Sequence, residues 1–404
     1  MFPAAVSVTS LDDMIDMTRA LADTPGAADR VFLNSAGSSL PPTPVLDEVV
    51  GHLRREAAIG GYEAAGERAD DLEAGYGVFA ELLGCRPDQI AFTDSATRSW
   101  FAAFDAVPLT AGDRVLVGEV EYAGNAIPLL MRAEAVGATV EVVPSDADGT
   151  FSADALDAML DERVKLVSVV HVPTNGGVVA DVRRISDAAH AAGALVLLDA
   201  CQAVGQLAVD AGALDVDILT GTGRKWLRGP RGTGFLAVRD RAAAVLKPKA
   251  ADLHGATWTG TETYELRTDA RVYELWECDI ASRLGLITAA RYLLDLGQEA
   301  VEETVTARAA HLRAGLSEIP GVTLHDLGAR KSGLVTFSVA DRSAEEVKAG
   351  LAAQDVAVSV SARSSTYLDM SRRGLTQIVR ASPHYFVTEK QLDKAVAEVA
   401  LLAR

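Results

Sequence analysis

The sequence predicts a doubly wound α/β protein: a large domain with a mostly parallel sheet, and a smaller C-terminal α+β domain. Three observations predict it. Short β-branched runs alternate with longer Ala-rich amphipathic stretches through the middle of the chain. Those runs are nearly continuously apolar, as strands covered on both faces are. From about residue 290 the spacing of the runs changes.

The elements follow in order. Residues 1–30 read as an N-terminal helical arm with Leu11, Met14, Ile15 and Met17 as its apolar positions. A large domain is expected over 31–275. In it a strand at 114–117 precedes a helix at 126–138, and a strand at 139–143 precedes a helix at 153–160. A strand at 166–170 precedes a helix at 182–192, and strands at 195–198 and 216–219 follow. A small domain is expected over 276–404, joined with the arm. It opens with one long helix at 287–317. A strand at 333–339, a helix bearing Val347 and Leu351, strands at 356–360 and 377–380, and a closing helix at 389–402 complete it. No repeat or low-complexity linker separates the two parts, which suits a cleft between them.

Composition narrows the function. Among 404 residues, 49% are apolar and 23% charged, which excludes a disordered or fibrous chain and allows a large core. The formal charge of -18 makes nucleic acid and anionic membranes poor partners, although a local basic pocket can still take a small anion. Cys85, Cys201 and Cys278 lie far apart, without metal-site spacing, so neither a metal centre nor a disulfide framework is expected. The first residues lack a basic, long-apolar leader, and apolar stretches are of strand length. A cytoplasmic protein is the expectation.

Three segments could carry chemistry. Leu195 to Leu198 deliver Asp199 at the carboxyl end of a strand, followed by Ala200, Cys201 and Gln202. Parallel α/β sheets bind ligands at such ends, yet a helix cap or a buried ion pair would use the same aspartate. The run from Thr220 to Phe235 is rich in glycine and cations and holds Thr222, Arg224 and Lys225, with Lys225 placed 26 positions after Asp199. Its small residues admit a close ligand, and its hydroxyls and cations suit a phosphate; a solvated basic loop would look similar. At Phe92 to Arg98 a strand ends in small and hydroxyl residues, including Ala96 and Thr97, and a helix is expected from Arg98. That junction is either an anion site or a simple Asp94 or Ser95 cap. Together the three supply what pyridoxal phosphate needs: a lysine for the Schiff base, an aspartate for the pyridinium nitrogen and a hydroxyl turn for the phosphate.

On these residues the chain resembles the class V aminotransferase-fold enzymes, the cysteine desulfurase-like branch of fold-type I pyridoxal phosphate proteins, from about residue 30 to its end. The resemblance implies that Lys225 is the imine lysine and Asp199 the pyridinium partner. It places Gln202 and Asn175, in Pro173-Thr174-Asn175-Gly176, near the phenolic oxygen, and Thr97, the Ala96 amide and Thr222 on the phosphate. Arg224 stands where histidine is usual and would strengthen phosphate binding. Tyr122 stands where a histidine usually stacks on the ring; it can stack, but it is a poor proton carrier at neutral pH. Arg380, in Val379-Arg380-Ala381-Ser382-Pro383-His384, resembles the arginine that clamps the substrate carboxylate, while His384 reads as structural. Asn34 and Tyr62 fall in segments like the substrate-side loops. Thr259 falls where a neighbouring subunit completes the phosphate site, so a homodimer is implied.

One departure bears on the reaction. Cysteine desulfurases carry a nucleophilic cysteine before the carboxylate-binding arginine, and a persulfide relay needs that thiolate. Here residues 359–374 offer Ser361, Ser364, Ser365 and Thr366 but no cysteine. Cys201 reads as core, Cys85 as a turn residue and Cys278 as a helix residue. The expected activity is therefore β-elimination: a C–S lyase acting on a cysteine conjugate or its sulfoxide. Epimerisation and transamination by the same fold stay open, as does a non-catalytic protein that keeps the fold as a binding or regulatory partner.

Overall fold

The computed structural model describes residues 15–404, so Leu11 and Met14 of the expected arm lie outside the described residues. A short helix, Met17–Ala22, is capped by the Asp16 side chain. Strand β1 (Val31–Phe32) follows. The central sheet is then built from β2 (Ile90–Thr93), β3 (Arg114–Gly118), β4 (Thr139–Val143), β5 (Val164–Val170), β6 (Leu195–Asp199), β7 (Ile218–Thr222) and β8 (Gly234–Val238). Its spatial order is β2-β8-β7-β6-β5-β3-β4.

Strands β3 to β7 run parallel, and β8 runs antiparallel to both β2 and β7. Successive side chains of a strand point to opposite faces, so each central strand feeds two cores. Leu198, Leu219 and Phe235 enter the cluster on one face; Leu197, Ile218 and Leu236 enter the cluster on the other. Each such side chain contributes roughly 1.5–3 kcal/mol of burial. Strand β8 arises inside the glycine-rich run, where no strand was expected. Its glycines are packing requirements: a Cβ on Gly234 would lie 2.3 Å from the Ser95 carbonyl carbon, and one on Gly221 would lie 2.1 Å from the Phe235 ring.

Beyond the sheet, β9 (Ala256–Gly260) and β10 (Thr263–Leu266) form an exposed hairpin. The expected helix at 287–317 is two helices, Ile280–Leu296 and Gln298–Ser317. They break at Gly297, whose φ of 85° suits glycine and ends the first helix. Cys278 precedes the Asp279 cap of the first of these helices and is not itself helical, contrary to expectation. A second sheet, ordered β11-β12-β15-β14, is antiparallel throughout: β11 (Val322–Leu324), β12 (Val335–Val339), β14 (Ser359–Ala362) and β15 (Gln377–Ala381). Between them, β13 (Val356–Ala357) pairs in parallel with β1, and Ser382 bridges to Asn34. The start of the described chain is thereby stitched to its C-terminal part. The closing helix, Glu389–Leu402, starts with a Thr388–Gln391 capping box. Among the described residues no helix is long and apolar enough to cross a membrane, and no cluster of His, Cys, Asp and Glu could hold a metal.

Candidate active site

The carboxyl ends of β5, β6 and β7 open into one cavity. It is lined by Ala96, Thr97, Tyr122, Asn125, Thr174, Asp199, Cys201, Gln202, Thr220, Thr222, Arg224 and Lys225, among others. The sheet order explains the meeting: β6 and β7 are neighbours, so Asp199 and Lys225 emerge side by side.

Asp199 is held from two sides. Its Oδ1 accepts the Cys201 amide at 2.9 Å, and its Oδ2 accepts Asn125 Nδ2 at 2.9 Å. The same Asn125 nitrogen donates to Glu121 Oε1 at 2.9 Å. Glu121 also accepts the Tyr122 amide and the Ser168 hydroxyl, each at 2.9 Å. Burial pushes the Glu121 carboxyl up to about 7, with Asp199 adding to the rise and the hydrogen bonds opposing it. Glu121 thus orders the residue beside the ring site, Tyr122, and the amide that fixes Asp199. On sequence alone, Tyr122 of this segment is singled out, and Glu121 and Asn125 receive no role. Their spacing of four was the available signal.

Lys225 follows β7, and its Nζ has no hydrogen-bond partner among the described residues. Burial lowers its pKa, and the nearby Arg224 and Arg380 lower it further. The phosphate side begins at the helix Ala96–Ala106, which starts two residues before the expected Arg98, with Ser95 as its cap. The Thr222 hydroxyl donates to the Thr233 carbonyl at 3.3 Å. Arg228, three residues past Lys225, adopts a left-handed φ of 62°. Its guanidinium donates to Leu40 O, the Tyr385 hydroxyl and the Thr24 hydroxyl, which fixes the loop carrying the lysine.

Gln202 is committed at both ends of its amide: Nε2 donates to Ala36 O at 3.1 Å, and Oε1 accepts Trp226 Nε1 at 2.9 Å. One Nε2 hydrogen is left for a ligand. Arg380 is buried at the edge of the cavity. Its Nη1 donates to Thr174 Oγ1 at 2.6 Å and its Nε to Ser359 Oγ at 3.0 Å. Burial, with Arg224 nearby, pushes it down to about 10. Asn175 donates from Nδ2 to Asp369 Oδ2 at 2.8 Å, and its Oδ1 is buried with no partner among the described residues. Asp369 is in turn paired with Arg373 at 3.2 Å, and its amide donates to Glu119 O. Asn34 caps the Ser35–Ser38 turn beside the site. Tyr62 and Thr259 lie outside the cavity of this chain: Tyr62 is 78% exposed, and Thr259 sits on the β9–β10 hairpin.

The lining fits pyridoxal phosphate. Two buried polar atoms of lining residues, Thr220 Oγ1 and Trp100 Nε1, have no protein partner among the described residues. A free lysine, a fixed carboxylate and a helix N-terminus next to Thr97 complete the donor set.

A mixed sheet with this lysine and aspartate at its carboxyl edge defines a fold-type I pyridoxal phosphate protein. The chain belongs to the aminotransferase class-V family, which it matches over residues 31–395. It is 31% identical to a protein named "Probable cysteine desulfurase 2" from Mycobacterium leprae, covering 95% of this chain and 96% of that one. Its fold is similar to that of the apo cysteine desulfurase from Thermococcus onnurineus, with a TM-score of 0.89 and 22% identity over 96% of this chain and 98% of that chain. It is also similar to the cystine C–S lyase C-DES in complex with cysteine persulfide, with a TM-score of 0.84 and 23% identity over 93% and 99%. A variant of that lyase carries glycine covalently linked to its pyridoxal phosphate cofactor.

Proposed function

We propose that this protein is a pyridoxal phosphate-dependent C–S lyase that cleaves the Cβ–S bond of a cysteine conjugate or its sulfoxide. The observation that carries the reading is the cysteine-free stretch before Arg380, which reaches the cavity wall where Ser361 Oγ donates to Thr174 O at 3.0 Å. Strand β14, the turn at 363–365 and the helix Tyr367–Arg372 follow one another here, and Ser361, Ser364, Ser365 and Thr366 stand where a nucleophilic cysteine would be needed before Arg380. Cys201 is the single thiol lining the cavity among the described residues, and burial holds it well above the usual thiol range. Burial pushes Cys85 up as well, to about 12. A persulfide relay has no thiolate to use, whereas direct elimination needs none.

The residues divide the work. Arg380 offers its unused Nη2 to the substrate α-carboxylate. Lys225 Nζ takes the Cα proton; burial, which lowers its pKa, favours the neutral amine that this step needs. Asp199 holds a proton on the ring nitrogen. Bound pyridoxal phosphate supplies the electron sink for the charge left at Cα. The Cβ–S bond then breaks with its electron pair on sulfur, and the Lys225 ammonium returns a proton to the leaving thiolate or sulfenate. Hydrolysis of the remaining enamine gives pyruvate and ammonia. Thr97, the Ala96 amide and Thr222 serve the phosphate. Tyr122 would stack on the ring, while Asn34 and Tyr62 would belong to the substrate side.

The active unit we propose is a homodimer in the cytoplasm, the free thiols suiting a reducing compartment. Trp258 (81% exposed) and Tyr264 (67%) on the hairpin, with Tyr62 and Trp276, are large apolar surfaces that a second copy would cover. Thr259 would then reach the neighbouring copy's phosphate site. The test is one spectrum and one product assay. The cofactor's visible band, lost in Lys225→Ala, together with pyruvate from sulfur conjugates, supports the lyase. Exchange of the Cα proton without pyruvate turns the assignment to epimerisation or transamination. A protein that takes up no cofactor overturns it.

A further inference from the structure

Arg224 is placed by contacts distant in sequence. Its Nη1 donates to the Gly37 carbonyl, and its own carbonyl accepts the Ser39 amide at 2.8 Å. The Ser35–Ser38 turn it grips is fixed to the end of β15: the Ser35 amide donates to Ser382 O, the Ala36 amide to Ser382 Oγ, and the Ser382 amide to Leu33 O. Ser382 lies two residues beyond Arg380. Both guanidiniums therefore stand on one wall, that of residues 33–39 and β15, with Tyr122 close enough to act on both charges. Neither forms an ion pair with a carboxylate among the described residues. Arg380 keeps Nη2 unused, and Arg224 keeps Nε and Nη2. Lys225 lies beside them: both guanidiniums lower its pKa, and Arg224 lowers that of Arg380. One α-carboxylate answers one of these guanidiniums and leaves the other open to the cofactor's phosphate or to a further oxygen of the substrate.

We infer that Arg224 determines specificity by receiving an anionic or strongly accepting oxygen on the substrate's side chain, carried on the sulfur or within two or three bonds of it. A guanidinium suits either source of that oxygen, a sulfoxide or a carboxylate on the sulfur substituent. The inference rests on the lyase reading for its substrate, but its geometry is that of any amino acid held by Arg380.

The test compares substrates differing only in that oxygen: S-ethylcysteine, S-ethylcysteine sulfoxide and S-carboxymethylcysteine. The holoenzyme and its Arg224→Gln and Arg224→Lys variants are compared. Arg224→Gln is expected to lower kcat/KM for the oxygen-bearing substrate about 10- to 100-fold more than for S-ethylcysteine, with Arg224→Lys recovering part of the loss. The sulfoxide and carboxymethyl arms tell which oxygen is read. Binding of 2-aminoadipate and norleucine, followed by the change in the cofactor's absorption, repeats the comparison without any C–S bond. If no conjugate yields pyruvate but 2-aminoadipate loses affinity selectively in Arg224→Gln, the lyase reading falls and this inference stands. Equal losses for all ligands, or a loss confined to cofactor affinity, would place Arg224 on the phosphate and overturn it.

Discussion

The two walls of the cavity are built on opposite terms. On the wall of the central sheet, Asp199, Asn125, Glu121 and Ser168 form a continuous chain of hydrogen bonds at 2.9 Å, all of it buried. On the facing wall, Arg224 and Arg380 are anchored to carbonyls and hydroxyls and keep donors in reserve. A hydrogen-bonded polar network in low dielectric is rigid, and this one leaves only the remaining lone pairs of the fixed Asp199 carboxylate for a ligand. A cation fixed by one edge is positioned yet still has capacity for a ligand. The first wall suits a resident cofactor ring, the second a substrate that comes and goes.

The largest effect that could break this contrast is at the junction of the walls. Lys225→Ala is expected to reduce pyruvate formation by roughly 10^4-fold and to abolish the visible band, read by steady-state rates and one spectrum. Residual turnover of a few per cent would mean that another base works at the site. Next comes the substrate wall. Arg380→Gln should raise KM on the order of 100-fold for every amino acid tested, whatever its side chain, because it removes the carboxylate's charged donor. An increase confined to acidic side chains would exchange the parts given to Arg380 and Arg224.

A smaller effect is expected where the two parts of the chain meet. Asp369 is buried and joins Asn175 to Arg373. Asp369→Ala should destabilise the protein by about 2 kcal/mol through the unpaired Arg373 and Asn175 groups, lowering Tm and raising KM more than it lowers kcat. Unchanged Tm and KM would show that the bridge holds nothing. The smallest effect concerns the sheet wall itself. Burial raises the Glu121 carboxyl from 4.5 to about 7. A carboxyl whose pKa is raised on folding contributes stability below about pH 4.5 and loses it as pH climbs through 7. In the cofactor-free protein, Glu121→Gln should therefore flatten the fall in Tm between pH 5 and pH 8. Parallel curves for the two proteins would refute the assignment.

The closing helix at 389–402 was legible residue for residue, because its capping box and apolar spacing are local signals. Strands β3 to β7 were legible for the same reason. The break at Gly297 was not, since apolar periodicity continues across it and only the backbone angle ends the helix. Strand β8 was hidden by the glycines that let it pack against Ser95. At the site, Asp199 and Lys225 could be recognised because their chemistry survives any small shift of backbone. The bond that holds Asn175 was not legible: its partner Asp369 is 194 positions away.

By itself, then, the sequence determined most of the elements, the cofactor chemistry and the lack of a cysteine before Arg380, since each depends on residue type and local spacing. The tertiary structure alone decided which donors remain free. Gly37, Thr174, Arg224 and Arg380 come together only when β15 and the Ser35–Ser38 turn are laid against the sheet. Hydrogen bonds depend on distance and direction, and neither is written in the order of the residues.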